Sequence, residues 1–169
     1  MDLIVRGAKR SIKPMNEALL REAIALSIEK MEAGEGGPFG AVVVKNGEVI
    51  GRGWNRVTSA NDPTAHAEVM AIRDACEALN TFDLSGCELY ASCEPCPMCL
   101  SAIYWAKLDR LYFAAGRRDA ADAGFADEFL YEETSKDWKN RELPTEQGLA
   151  EEAQVAFEAW KNKPDRTRY

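Results

Sequence analysis

From residue 16 onward the apolar side chains fall first at helical and then at alternating spacing. Leu19, Leu20, Ala23, Ile24 and Met31, with Ser27 tolerated on the same stripe, predict a helix over 16–33 closed by Gly34 as its cap. Phe39 to Val44 is a β-rich run, and Asn46-Gly47 supplies a hairpin turn into a second strand over 48–54. Val69, Ile72, Cys76 and Leu79 line one stripe of a second helix, expected to begin near Thr64, as its cap, and to run to Leu79. Cys87 to Ala91 reads as a strand, Pro95 as the first turn of a third helix reaching about Ala106, and Leu111 to Ala114 as a short strand. The last third is mostly helical and polar. This order, α-β-β-α-β-α-β, predicts an α/β fold with a mixed sheet and helices packed on its faces.

Length and composition add bounds to that pattern. A chain of 169 residues supports one core, so residues 1–169 are expected to form a single domain, with 1–14 an unassigned N-terminal segment. Apolar residues at 46% and charged residues at 29% are those of an ordinary globular protein. Leu3-Ile4-Val5 is too brief for a signal peptide and no stretch reaches transmembrane length, so a cytoplasmic protein without membrane contact is expected. The net charge is −7, and 119–133 carries Asp119, Asp122, Asp127, Glu128, Glu132 and Glu133 without one Lys or Arg. Nucleic-acid binders need a basic stripe to meet phosphates, so no nucleic-acid partner is expected. The cations near the C-terminus, Lys161, Lys163, Arg166 and Arg168, suit a solvated helix end.

Cysteine usage points to chemistry. Of five cysteines, Cys93, Cys96 and Cys99 crowd into one short segment, which reads as metal or redox chemistry before disulfides. His66, the only histidine, stands two residues before Glu68, where a helix is expected to start. Cys96 and Cys99 are three apart, share a helix face, and lie where the helix N-terminus favours thiolate. Two thiolates and an imidazole make the three protein ligands of a catalytic zinc site with an open position. A water there becomes acidic enough to attack an amidine-like carbon, and Glu68 is the carboxylate to move the protons. H-x-E followed by P-C-x-x-C is the signature of zinc nucleobase deaminases.

Blander readings compete. A lone histidine is usually a satisfied core or surface residue, and Glu68 alone could be an exposed helix carboxylate. Cys93 could supply a fourth ligand and close the site, making a non-catalytic structural-zinc module. Cys93, Cys96 and Cys99 also fit part of an iron–sulfur run, but Ala102 stands where its fourth cysteine belongs. Cys76, Cys87 and Cys93 read more simply as small buried side chains.

These residues resemble the cytidine deaminase-like superfamily and, within it, the bacterial guanine deaminases. The resemblance runs from about Asn16 to Tyr131, through Gly-Gly-Pro-Phe-Gly at 36–40, Asn61-Asp-Pro-Thr-Ala-His-Ala-Glu68, Ser92-Cys-Glu-Pro-Cys-Pro-Met-Cys99, Ala102-Ile-Tyr-Trp-Ala106 and Asp122-Ala-Gly-Phe125. It thins beyond position 132, although the chain ends in Tyr169 as that family does.

The resemblance implies a three-layer α/β/α fold, one Zn2+ per chain and deamination of guanine to xanthine. It also implies a homodimer in which a C-terminal segment, about 132–169, crosses to the partner so that Tyr169 closes over the other active site. Carried over by position, Asn55 would hydrogen-bond the purine, Ala67 would contact it, and Phe39 and Trp105 would wall the pocket. Asp127 would contact the base near its amino group and assist proton transfer. Each also has a structural reading: Asn55 as a strand-end turn residue, Phe39 and Trp105 as core aromatics, Asp127 as part of a solvated face, Tyr169 as a frayed end. Among relatives, a tRNA adenosine deaminase shares H-A-E and P-C-x-x-C but needs a basic surface for its RNA. A cytosine or cytidine deaminase matches less well around Phe125 and Tyr169, and turnover of ammeline or a guanine nucleoside is left open.

Overall fold

Asn16 opens the first helix as its position predicts, its Oδ1 accepting from the Ala18 N–H at 3.0 Å. The computed structural model describes residues 14–168, so the expected roles of residues 1–13 and of Tyr169 lie outside the described residues. Helix α1 spans Glu17–Glu32, and Gly34, at φ +73°, makes the left-handed turn that ends it. It buries Leu19, Leu20, Ala23 and Ser27, whereas Met31, expected on the same stripe, is exposed. In that last turn the contacts are made by Lys30, whose ammonium lies 4.5 Å from the Trp54 ring centroid.

Strands β1 (Gly40–Lys45) and β2 (Glu48–Trp54) form the expected hairpin. Asn46 and Gly47 both take positive φ, 53° and 89°, the requirement of the tight turn whose twist matches the strands. Strand β3 (Cys87–Cys93) pairs antiparallel with β1, and β4 (Arg110–Ala115) pairs parallel with β3, giving the order β2-β1-β3-β4. The sheet is therefore mixed, as expected.

Period-two alternation splits the core in two. Val42, Val44 and Tyr90 meet Leu19 and Leu20 of α1 on one face, with Tyr90 stacked on Tyr112 at 4.7 Å between ring centroids. Ala41, Val43, Leu89 and Ala91 point to the other face, against helices α3 (Ala67–Leu79) and α4 (Pro97–Trp105). These are the three layers, α/β/α, that the resemblance implies. A one-turn helix, α2 (Val57–Ala60), lies between β2 and α3 and was not expected.

The packed face of α3 is small. Ala67, Ala71 and Ala75 are buried, while Val69 and Cys76 on the expected stripe are only half-buried. The reason lies in β2, where a Cβ on Gly53 would stand 2.1 Å from the Ala67 carbonyl oxygen and one on Gly51 would stand 2.6 Å from that of Ala71. Helix and strand touch backbone to backbone, and only glycine facing alanine allows that approach.

Two helix starts differ from expectation. Thr64 does not cap α3: its N–H and hydroxyl both donate to Asp62 Oδ1, at 2.8 and 2.7 Å, and His66 is the N-cap. The carboxylate turns the chain locally before the helix can begin. Pro97, not Pro95, occupies the first turn of α4, and Cys96 is its N-cap with ψ 168°. A residue before proline is held extended, so Cys96 cannot be helical and the helix starts one residue later.

After β4 come α5 (Arg117–Asp122), α6 (Glu128–Ser135), a 3₁₀ turn at Trp138–Asn140 and α7 (Ala150–Asn162). No helix among the described residues is long and apolar enough to cross a membrane.

Candidate metal centre and its cavity

The strands deliver their chemistry to one end of the sheet. Strand β3 runs out at Cys93 and β4 at Ala115, side by side and parallel, and Glu94 N–H donates to the Ala115 carbonyl at 2.8 Å. Strand β1 begins at this end just after Phe39, and β2 finishes here just before Asn55, whose N–H donates to the Phe39 carbonyl at 3.0 Å. Ligands of open α/β sheets bind outside the carboxyl ends of parallel strands, and a cavity of ≈510 Å³ opens at this point.

Two helix N-termini meet at its floor. His66 caps α3, Cys96 caps α4, and Cys99 lies in the first turn of α4. His66 Nδ1 is 3.6 Å from Cys96 Sγ and 3.5 Å from Cys99 Sγ, and the three donor atoms all lie within 4.8 Å of one another. Edges of this length suit the donor triangle of one tetrahedral ion of zinc's size, and imidazole with two thiolates is a zinc donor set. The residues fit the metal.

The electrostatics agree. Cys96 is drawn down to about 4, first by the hydrogen bond it accepts from the Cys99 thiol and further by His66. Cys99, the donor in that bond and itself buried, is pushed far up. The bond between the two sulfurs thus favours thiolate at Cys96, and a metal would displace the proton it leaves on Cys99. His66 is raised, chiefly by its bond to the Cys96 sulfur. Cys93 stays outside the cluster: burial pushes it up to about 11, and its Sγ reaches the Gly116 carbonyl at 3.9 Å. Cys93 lines the cavity, but its Sγ is not among the donor atoms gathered there, so among the described residues the cluster holds three donors.

Glu68 lies in the first turn of α3, 7% exposed, on the cavity wall. Burial raises its carboxyl above the usual range, with the Cys96 charge adding to the effect. A proton carrier needs such a poised carboxyl.

The other expected residues separate into two groups. Asn55, Phe39 and Asp127 reach the cavity. Asn55 is 8% exposed, and its Oδ1 accepts from Gly37 N–H at 3.2 Å and Val57 N–H at 3.3 Å. With the oxygen occupied, its amide hydrogens are what it offers a ligand. Phe39 packs edge-on against Phe125, with centroids 4.9 Å apart. Asp127 is half-buried at the start of α6, and desolvation raises its carboxyl, with Cys96 contributing. Trp105 instead is 68% exposed at the end of α4, away from the cavity lining, and Ala67 is buried beneath β2.

Several wall residues escaped sequence reasoning: Thr58, Glu94, Arg117 and Phe125. Phe125 stood within a quoted motif, and its place one residue after Gly124, which turns at φ +92°, was the available signal. Nothing in the local pattern marks Arg117. Its N–H donates to Glu94 Oε2 at 3.1 Å and its guanidinium lies 5.1 Å from the Tyr131 ring centroid. Tyr131 in turn donates to the Pro95 carbonyl at 2.9 Å.

Residues 13–115 match the family model of the cytidine and deoxycytidylate deaminase zinc-binding region. The chain belongs to this deaminase family. Guanine deaminase of Bacillus subtilis is 50% identical over 154 residues, covering 91% of this chain and 99% of that protein. The X-ray structure of guanine deaminase from the same organism superposes with a TM-score of 0.89 at 51% identity, covering 92% and 99% of the two chains. The tRNA-specific adenosine deaminase of Aquifex aeolicus is 44% identical over 99 residues, 59% of this chain and 65% of that one. The protein is a zinc-dependent deaminase, a hydrolase acting on C–N bonds.

Proposed function

We infer that this deaminase converts guanine to xanthine and ammonia, with His66, Cys96 and Cys99 holding zinc and Glu68 carrying the protons. The observation that carries the chemistry is a buried carboxyl, raised by desolvation, on the wall of a cavity that His66 and Cys96 of the three-donor cluster also line. Guanine as substrate is supported by similarity to a guanine deaminase over nearly both whole chains, where the likeness to the tRNA enzyme spans 59% of this one. A net charge of −7 also suits a small base better than a polyanion.

When bound, zinc makes a neighbouring water acidic enough to attack near neutral pH. Glu68 accepts the water's first proton and passes it to the ring nitrogen beside the amino-bearing carbon; it then takes the proton left on the attacking oxygen and gives it to the amino group, which leaves as ammonia while the carbonyl forms. Asn55 donates its amide hydrogens to a purine acceptor. Phe39 and Phe125 give the base apolar walls, and Asp127, at the mouth, takes hydrogen bonds from the amino side and assists the last proton transfer. The substitution Glu68→Gln tests this: zinc and fold are retained while guanine turnover collapses. Near-normal turnover would remove Glu68 from the role.

We further infer a homodimer whose C-terminal segments, about 132–169, cross between partners, with Tyr169 and Trp105 serving the neighbouring site. The support is apolar surface: α7 exposes Val155 at 70% and Phe157 at 60%, and Trp105 lies open on α4. Single exposed residues are ordinary, but an amphipathic helix showing its apolar side asks for a cover. A monomer mass by light scattering at micromolar concentration would overturn this. The free state of all five cysteines suits a reducing cytoplasm, where we place the protein.

A further inference from the structure

Tyr131 belongs to neither the metal cluster nor the cavity wall, yet it joins them. It lies on α6 four residues after Asp127, the N-cap of that helix, so the two side chains stand on one helical face. Its hydroxyl donates to the carbonyl of Pro95 at 2.9 Å, and Pro95 immediately precedes the metal-site residue Cys96. Its ring lies 5.1 Å beneath the Arg117 guanidinium, and the Arg117 N–H is itself held by Glu94, the residue before Pro95. The circuit closes on itself: metal loop, start of α5, face of α6, metal loop. Asp127 makes no side-chain capping bond: the helix end holds its backbone, through the Leu130 N–H donating to its carbonyl at 2.9 Å, and leaves the carboxylate untied.

We propose that Tyr131 is a positioning residue: its hydrogen bond to the Pro95 carbonyl fixes the distance between Asp127 on α6 and the metal loop. The inference rests on the reading of Asp127 as an assistant in proton transfer. Tyr131 touches no reacting atom and acts through Asp127 alone. A misplacement of about 1 Å in a catalytic group can cost on the order of a hundredfold in rate, so a single hydroxyl can matter at this remove.

A double-mutant cycle on the full zinc-loaded enzyme tests it, with guanine as substrate and variants Tyr131→Phe, Asp127→Ala and the pair. Tyr131→Phe keeps the ring beneath Arg117 and removes only the bond. The expected result is unchanged zinc content and melting within a few degrees, kcat lower by about tenfold, KM within about twofold, and no further loss when Tyr131→Phe is added to Asp127→Ala. Losses that multiply in the double variant would overturn the proposal, because Tyr131 would then act independently of Asp127. So would loss of zinc or of the fold in Tyr131→Phe, which would assign the hydroxyl to holding the loop. An unaltered kcat in Tyr131→Phe beside an impaired Asp127→Ala would refute the positioning role and leave Asp127 standing. A silent Asp127→Ala would remove the reading of Asp127, and the proposal with it.

Discussion

Glu68 shows how much one position can be asked to do. Sequence logic places it by spacing alone, two residues after the single histidine, and burial then gives the carboxyl its raised affinity for a proton. Positioned proton transfer typically contributes 10² to 10⁴-fold, so Glu68→Gln is expected to lose at least about a hundredfold in kcat with stoichiometric zinc still bound. The three residues whose donor atoms gather at the site, His66, Cys96 and Cys99, were legible for the same reason as Glu68. Ligand chemistry demands particular residue types at short, fixed spacing, and such spacing survives any uncertainty about where a helix begins. Asn55 and Phe39 needed the family resemblance, because an asparagine after a strand and a phenylalanine before one have ordinary structural uses. Arg117 and Tyr131 were invisible, since their partners, Glu94 and Pro95, are distant in sequence and meet them only through the fold.

At the scale of elements, the strands were read to within a residue or two because both sheet faces are covered, which makes β1 and β3 nearly continuous buried runs. Helix starts were read less well. Pro97 overrules Pro95 by holding Cys96 extended, and Asp62 overrules Thr64 by capturing its donors. Both displacements leave a member of the three-donor cluster, Cys96 or His66, as an N-cap with its backbone extended and its side chain uncommitted to capping. The contact of α3 with β2 was also unread, because its signal is two glycines in a strand, ordinarily a mark of weakness. Here they let the helix bearing His66 and Glu68 lie directly on the sheet. Gly53→Ala must displace backbone atoms of Ala67 and Ala71, now 2.1 and 2.2 Å from the new Cβ, and overpacking of this kind costs about 1–3 kcal/mol. The expected outcome is a clear drop in Tm together with lower turnover, since α3 carries the site. A variant as stable and active as the parent would contradict the tight backbone contact.

The whole molecule is an acidic single-sheet enzyme whose cavity opens where the parallel pair β3 and β4 ends. Beside that opening α6 and its N-cap carry Asp127, Glu128, Glu132 and Glu133 with no Lys or Arg, a poor surface for RNA phosphates. The C-terminal third was the least legible part, because α7 buries none of its residues within the chain and so has no core contact for its pattern to report. The measurement that bears most directly on the central claim offers the zinc-loaded protein guanine and, separately, a tRNA with adenosine at the wobble position. Xanthine and ammonia in equal amounts from guanine, with the tRNA unchanged, is the result expected. Inosine in the tRNA with guanine untouched would contradict it.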